Sequence, residues 1–272
     1  MARLSWAALL VLFPIAAQTV QVRYRMLPKE EIERRLRSFQ DSNAKREQKL
    51  YQMFEDAGCA EHLSEQVVKH VKVPNVICVL PGEMDARIVV GAHFDFVDRG
   101  RGVVDNWSGC SLLPSLFSDL QTAPRRHTFV FVGFTDEERG LIGSQFYIGR
   151  LGKEELKEIS AMVNLDSLGT SETKLELDRG DKKLANALHL VALHYNLPLS
   201  VVNLHRVGRS DSDSFQDRRV PAISIHSLSN ETFPILHTYR DQIDKIRMDD
   251  YYDTYRLVDV YLAYLDVILD AN

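Results

Sequence analysis

The sequence predicts an α/β protein of three α/β/α layers, in which helices flank a mixed, mostly parallel central β-sheet. Of its 272 residues, 45% are hydrophobic and 26% are charged, which is typical of a soluble globular chain. From residue 74 onwards, short continuous apolar runs alternate with amphipathic stretches, and such runs are typical of buried parallel strands. Since no repeat or low-complexity tract divides this part, we expect one domain over residues 74–272.

The first 17 residues differ from the rest in composition. Arg3 supplies a positive charge, and the run from Leu4 to Ala17 is almost wholly apolar with small residues at its end. This order predicts a secretory signal peptide over residues 1–17, because the apolar run is shorter than the roughly 20 residues that span a bilayer. We therefore expect a secreted or periplasmic protein with no stable membrane association after cleavage. An uncleaved membrane anchor is the alternative.

Residues 18–73 are predicted to form a helical segment that packs on the core. Pro28 is followed by several glutamates, which suits the first turn of a helix. The polar residues 41–43 interrupt this helix, and a second helix then ends at Gly58, a residue common at helix ends.

Seven apolar runs in the remaining chain are predicted strands, and the stretches between them include three helices with apolar residues at helical spacing. The strands cover residues 76–80, 87–91, 127–134, 161–165, 174–177, 199–202 and 221–225. The helices begin near Ser108 and cover about 181–195 and about 250–270.

The charge argues against one broad class of partner. The formal net charge is −5, whereas proteins that bind nucleic acids generally present a basic surface. We therefore expect no nucleic-acid partner.

The three cysteines bear on whether the protein resides in an oxidising compartment. In an exported protein a pair can be oxidised, and Cys59 and Cys78 are the favoured pair because they flank a short segment ahead of the core. Cys110 lies inside a motif described below and is expected to be a small buried residue.

Histidines and carboxylates follow several predicted strands at the point where each ends. Ligands bind at the carboxyl ends of strands in open α/β sheets, and carboxylates gathered there need positive charge to hold them together. Imidazole and carboxylate ligands suit Zn²⁺. The candidates are His93, Asp95, Asp105, Asp136, Glu137, Glu138, Asp166, His226 and His237.

Six blocks in order resemble metallopeptidase family twenty-eight, a family of di-zinc aminopeptidases that also contains glutaminyl cyclases and glutamate carboxypeptidases. The resemblance runs from about residue 74 to the C-terminus and implies a zinc peptidase domain with the zinc-dependent exopeptidase fold. The blocks are Gly91–Asp95, Val104–Gly109, Asp136–Ser144, Asn164–Ser167, Gly208–Asp211 and His237–Asp241.

The resemblance also implies that each chain binds two zinc ions, and it assigns ligands to each ion. His93 and Asp166 would bind one ion, and Glu138 and His237 would bind the other. Asp105 would bridge them. Two close metals share a water and lower its pKa, which is the usual device of such hydrolases.

The remaining roles implied by the resemblance concern proton transfer and the substrate. Glu137 would be the general base that activates the metal-bound water, and Asp95 would orient His93. Gly208 and Arg209 match a block that contacts substrate in some relatives, although a surface role for Arg209 is equally open. A secreted aminopeptidase acting on the N-terminal bond of a peptide substrate is therefore expected.

Two other functions remain as alternatives. A glutaminyl cyclase would use a single zinc on Asp105, Glu138 and His237, but cyclases favour an aromatic residue where Leu236 stands. A binding module on this fold is disfavoured because every ligand position is filled. Ser212 replaces the family's usual histidine, which leaves the oxyanion partner and the substrate preference undetermined.

Overall fold

The computed structural model describes residues 25–176, 180–202 and 208–269. The predicted signal peptide over residues 1–17 lies outside these ranges. An eight-stranded mixed sheet with helices packed on it confirms the predicted three-layer α/β/α architecture. The strands are β1 (Leu63–Gln66), β2 (Asn75–Leu80), β3 (Arg87–His93), β4 (Thr128–Phe134), β5 (Ile159–Leu165), β6 (Thr173–Glu176), β7 (Leu199–Val202) and β8 (Ala222–His226).

All seven predicted strands are present, with ends that differ from the prediction by at most two residues. The structure adds the four-residue edge strand β1. In the part of the chain that the structure describes, the α-helices are α1 (Lys29–Leu36), α2 (Asn43–Asp56), α3 (Ser108–Leu120), α4 (Ile142–Gly149), α5 (Lys153–Lys157), α6 (Lys182–Tyr195), α7 (Asp211–Gln216) and α8 (Met248–Ile268). The short helices α4, α5 and α7 are not predicted from the sequence.

The strand order across the sheet is β1-β2-β4-β3-β5-β8-β6-β7. The four central strands β4, β3, β5 and β8 are parallel to one another. The strand β2 is antiparallel to β4, and β6 is antiparallel to β8. The carboxyl ends of the four central strands therefore meet at one edge of the sheet, where ligands bind in such folds.

The helices α1 and α2 share one hydrophobic core with the sheet and α3. Leu36, Leu50 and Phe54 are fully buried in it. The guanidinium of Arg46, on α2, is also fully buried and donates hydrogen bonds to the carbonyl oxygens of Phe94 (3.2 Å) and Gly102 (2.9 Å). The N-terminal helices thus hold the loop that follows β3.

The structure pairs Cys59 with Cys78 in a disulfide, as predicted. It joins the segment after α2 to β2. Cys110 is a buried free thiol, also as predicted.

Among the described residues, no helix combines the length and the apolar character that crossing a membrane would require.

Candidate metal centre

The structure gathers the predicted ligands at the carboxyl edge of the four parallel strands. His93 is the last residue of β3, and Asp166 directly follows β5. Glu138 lies in the turn after β4, and Asp105 lies in the segment Val103–Trp107, directly before α3. His237 belongs to the loop between β8 and α8. Residues up to 144 positions apart therefore meet because their strands are neighbours in the sheet.

Asp105 lies between the two histidines. Its Oδ1 is 3.2 Å from His93 Nε2, and its Oδ2 is 3.0 Å from His237 Nε2. Asp166 Oδ1 is 3.8 Å from His93 Nε2, and Glu138 Oε2 is 2.9 Å from His237 Nε2. Each histidine thus has its own carboxylate and shares the carboxylate of Asp105.

Most of the centre is buried, although the side chain of His237 is half-exposed, and the centre carries an excess of negative charge. Burial raises the pKa of Glu137 to about 10, although His93 acts against this shift. Burial also raises the pKa of Glu138. Hydrogen bonds with Asp105 and Glu138 raise the pKa of His237 to about 10. In the protein alone, these groups therefore hold protons that a bound cation would displace.

His93 and Asp105 form a buried contact in the centre. Burial by itself would lower the pKa of His93, but the charge of Glu137 and the hydrogen bond that His93 donates to Asp105 raise it well above its ordinary value. Burial would raise the pKa of Asp105, but hydrogen bonds with His237 and His93 lower it. The two histidines are thus held by the carboxylate that they share.

The donor atoms form two compact groups that suit divalent cations. One group is His93, Glu137 and Asp166, and the other is Asp105, Glu138 and His237, with the donor atoms of each within 4.8 Å of one another. Glu138 Oε1 is buried without a hydrogen-bond partner in the described chain, which is costly unless an ion occupies that position. Mixed imidazole and carboxylate donors suit zinc or a similar ion.

Asp95 holds both the histidine and the turn after β4. Its Oδ1 accepts a hydrogen bond from the backbone N–H of Glu137 (3.0 Å), and its Oδ2 accepts one from that of Glu138 (3.2 Å). The same Oδ1 is 3.5 Å from His93 Nδ1, and the Asp95 carbonyl oxygen is 3.2 Å from that nitrogen. One buried carboxylate therefore fixes the ring of His93 and the position of both glutamates.

The Asp105 turn is held by a residue to which the sequence reading gave no role. The carboxylate of Asp241 accepts hydrogen bonds from the backbone N–H groups of Val104 (2.7 Å) and Asp105 (3.2 Å). Asp241 is 1% exposed and closes the last of the six sequence blocks. That membership was the only signal available, because the contact joins residues 136 positions apart.

Comparison with known proteins places the chain in a family. The model of peptidase family M28 matches residues 75–261, which is more than half of the chain. The chain belongs to peptidase family M28. It is 27% identical over 187 residues to Aminopeptidase YwaD of Bacillus subtilis, covering 65% of this chain and 38% of that protein. The chain spans well under half the length of the first curated relatives that it matches.

Solved structures of this M28 fold extend over most of the chain. The Legionella pneumophila LapA aminopeptidase has a TM-score of 0.76 at 22% identity, covering 93% of this chain and 79% of that one. A zinc aminopeptidase from Bacillus subtilis has a TM-score of 0.64 at 26% identity, covering 70% and 49%. The Fimbriiglobus ruber glutaminyl cyclase has a TM-score of 0.71 at 16% identity, covering 91% and 99%.

The M28 centre opens into a cavity of about 280 Å³. Gly208 and Arg209, the two residues predicted to contact substrate, both line it. Arg209 is half-exposed and forms ion pairs with Asp217 and, at 3.9 Å, with Asp213. Both residues thus lie beside the centre, and their contact with substrate remains a prediction.

Asp211 is a further buried acid beside this M28 centre that the sequence reading left without a role. It is fully buried, and neither carboxylate oxygen has a hydrogen-bond partner in the described chain. Burial raises its pKa to about 7, with His93 acting against the shift. It begins α7, next to the cavity residue Ser212.

Proposed function

We propose that this M28 chain is a secreted, zinc-dependent aminopeptidase that hydrolyses the N-terminal peptide bond of a peptide. The arrangement of Asp105 between His93 and His237 is the observation that carries the proposal. Such a carboxylate offsets the repulsion between two cations held at short range. Two relatives in sequence, Aminopeptidase YwaD of Bacillus subtilis and Aminopeptidase Y of Saccharomyces cerevisiae, support the same activity.

The proposed ligands are those that the sequence predicts. His93 and Asp166 would hold one zinc ion, Glu138 and His237 would hold the other, and Asp105 would contact both. When bound, zinc supplies a Lewis acid that makes water more acidic and stabilises negative charge on the peptide carbonyl.

Glu137 is the proposed general base. Its Oε2 is 3.9 Å from His93 Nε2, and its side chain lines the cavity. As a carboxylate it would take a proton from the attacking water and then deliver it to the leaving amine. Asp95 supports this step as a positioning residue, because it accepts the hydrogen bond from the Glu137 backbone.

Secretion forms a separate part of the proposal. The composition of residues 1–17 is that of a signal peptide. The disulfide between Cys59 and Cys78 supports it, because such bonds persist in oxidising compartments. Recovery of the mature chain from the medium or periplasm, with an N-terminus near residue 18, is the expected result.

Two glutamate variants test the activity. Glu137→Gln removes the base but leaves the proposed ligands intact, so the protein should bind about as much zinc as the wild type and lose at least about 10²-fold in kcat. Glu138→Gln removes a proposed ligand, so it should lose zinc as well as activity. Zinc content by elemental analysis and hydrolysis of aminoacyl anilides give both readouts. A fully active Glu137→Gln protein would contradict the mechanism.

A glutaminyl cyclase is the second candidate. It is the alternative that the sequence leaves open, and the three residues that it would use form one compact group of donor atoms. Asp105, Glu138 and His237 would then hold a single zinc. Incubation with an N-terminal glutamine peptide distinguishes the two, since a peptidase releases free glutamine and a cyclase leaves a pyroglutamyl peptide and ammonia.

A further inference from the structure

One wall of the cavity is formed by two polar residues of β8. Ser224 and His226 both line it, and they lie two positions apart, so their side chains share one face of the sheet. The cavity, at about 280 Å³, is at the small end of the range for ligand pockets. It therefore suits a single amino-acid residue beside the metal centre.

The proton of the His226 ring has a defined place. The backbone N–H of Leu228 donates a hydrogen bond to His226 Nδ1 (3.1 Å), so Nδ1 is an acceptor and the hydrogen is on Nε2. Burial lowers the pKa of His226 to about 4, with Asp166 acting against the shift. The ring is therefore neutral at physiological pH and carries one N–H donor.

That donor is buried and has no acceptor. His226 is 5% exposed, and its Nε2 has no hydrogen-bond partner in the described part of the chain. A buried donor without a partner is costly, so in a native protein such a group calls for an explanation, such as a functional role or a bound water. Ser224 adds a second donor, because its Oγ accepts a hydrogen bond from Asn164 (3.1 Å) and keeps its own hydrogen.

We propose that His226 and Ser224 select substrates whose N-terminal side chain carries an uncharged hydrogen-bond acceptor, with the carboxamides asparagine and glutamine as the best examples. The inference rests on the aminopeptidase function proposed above. A carboxamide oxygen accepts two hydrogen bonds and so satisfies both donors of β8. Leucine has nearly the shape of asparagine but would leave both donors unpaired.

The charges around the cavity disfavour an acidic side chain. Glu176 and Asp213 also line the cavity, and the guanidinium of Arg209 is engaged with Asp213 and Asp217. His226 is neutral, so no cationic side chain is free to pair with a substrate carboxylate in this part of the described cavity. Asparagine is therefore expected to exceed aspartate as well as leucine.

Wild-type protein loaded with zinc tests the ranking directly. The measurement is kcat/KM for the p-nitroanilides of L-asparagine, L-leucine and L-aspartate, with glutamine and methionine as a longer pair. Asparagine should exceed leucine by about tenfold or more, since the apolar side chain leaves a buried donor unpaired. Equal or faster cleavage of the leucine substrate overturns the inference and leaves the aminopeptidase function standing.

Two variants assign the preference to β8. His226→Phe keeps a ring and removes the donor, so it should lower kcat/KM for asparagine, raise it for leucine and reverse the ranking. Ser224→Ala should reduce the preference without reversing it, and it provides the test if His226→Phe does not fold. His189→Phe is the matched control, because His189 is exposed on α6 and does not line the cavity. An unchanged ranking in both β8 variants overturns the inference.

A binding measurement separates this inference from the proposed activity. Free L-asparagine should bind the zinc-loaded protein more tightly than L-leucine by calorimetry, and His226→Phe should abolish the difference. If the protein cleaves no aminoacyl anilide, the aminopeptidase proposal fails. The binding preference then still supports the role of His226, and its absence overturns that role.

Discussion

Asp95 shows how one side chain can control a metal centre that it does not occupy. It contacts His93 on one side and accepts hydrogen bonds from the backbone of Glu137 and Glu138 on the other. If the Asp95 carboxylate shifted, then His93 and Glu138, which are proposed ligands of different zinc ions, would move together with the proposed base Glu137. Its substitution should therefore affect both zinc binding and turnover.

Asp95→Asn keeps the shape and replaces one acceptor oxygen by a donor. One of the two backbone N–H groups then loses its acceptor, so zinc affinity should fall about 10- to 100-fold. Competition with a chelator measures this affinity. Asp98→Asn, on the same loop but exposed, should leave it unchanged. Equal zinc affinity in Asp95→Asn and the wild type would contradict the positioning role.

The sequence predicted residues whose role follows from a motif and missed those whose role follows from a distant contact. His93, Asp105, Glu137 and the other members of the centre stand in short blocks after predicted strands, and the fold brings those strand ends together. Asp241 acts through a hydrogen bond to a residue 136 positions away. No local pattern specifies such a contact, and the same holds for the unpaired donor of His226.

At the scale of elements, the long apolar runs were predictable and the short polar ones were not. Strands β3, β4 and β5 are almost wholly buried and consist mostly of apolar residues. The strand β1 has one apolar residue and exists because its backbone pairs with β2 at the sheet edge. The six residues of α7 are mainly polar, so neither element shows the periodicity on which sequence prediction depends.

The disulfide between Cys59 and Cys78 connects the segment after α2 to β2 across 19 residues. Closing a loop of that size lowers the conformational entropy of the unfolded chain, which stabilises the folded protein by about 3 kcal/mol. A double Cys59→Ser, Cys78→Ser variant should lose about this amount of unfolding free energy in oxidising buffer, measured by denaturant titration. In reducing buffer the wild type and the variant should converge, and a difference that persists there would point to lost packing instead.

A buried pair of acidic residues between α3 and α8 should lower the free energy of unfolding at neutral pH. Asp259 is fully buried, neither of its oxygens has a partner in the described chain, and Asp119 lies near it. Burial raises the pKa of Asp259 well above its ordinary value and that of Asp119 to about 7. For a carboxyl group with a raised pKa, stability is full below its unfolded pKa and falls as the pH rises towards the folded one.

Asp259→Asn removes that charge while keeping the shape. Its unfolding free energy should exceed that of the wild type at pH 8, by up to about 1.4 kcal/mol for each pH unit over which the shift acts. The advantage should disappear below about pH 3, where the wild-type carboxyl is largely protonated in both states, because the pKa of an unfolded Asp is about 3.9. Asp253→Asn, a partly exposed position on the same helix, should show no such pH dependence.

The whole molecule combines a rigid sheet with an edge whose charges are unbalanced in the protein alone. The fold brings five carboxylates and two histidines together at that edge: Asp95, Asp105, Glu137, Glu138, Asp166, His93 and His237. The raised pKa values of Glu137, Glu138 and His237 mean that bound protons partly compensate the negative charge. A cation binding there must displace those protons. Metal loading, pH and stability are therefore linked for the entire fold.

The zinc-free protein should lose stability as the pH rises from about 5 to about 10. His237 has a folded pKa of about 10, above its unfolded value, so its contribution is present below pH 6.5 and is lost as the pH rises through about 10. Glu137, with a raised pKa also near 10, acts in the same direction from about pH 4.5 upwards.

Zinc takes the place of the protons on His237 and Glu137, so the rise in Tm that zinc causes should grow over the same pH range. Thermal unfolding with and without zinc measures both trends, and calorimetry in buffers of different ionisation enthalpy should detect proton release at pH 7. The same rise in Tm in His237→Ala as in the wild type would exclude this centre as the origin of the effect.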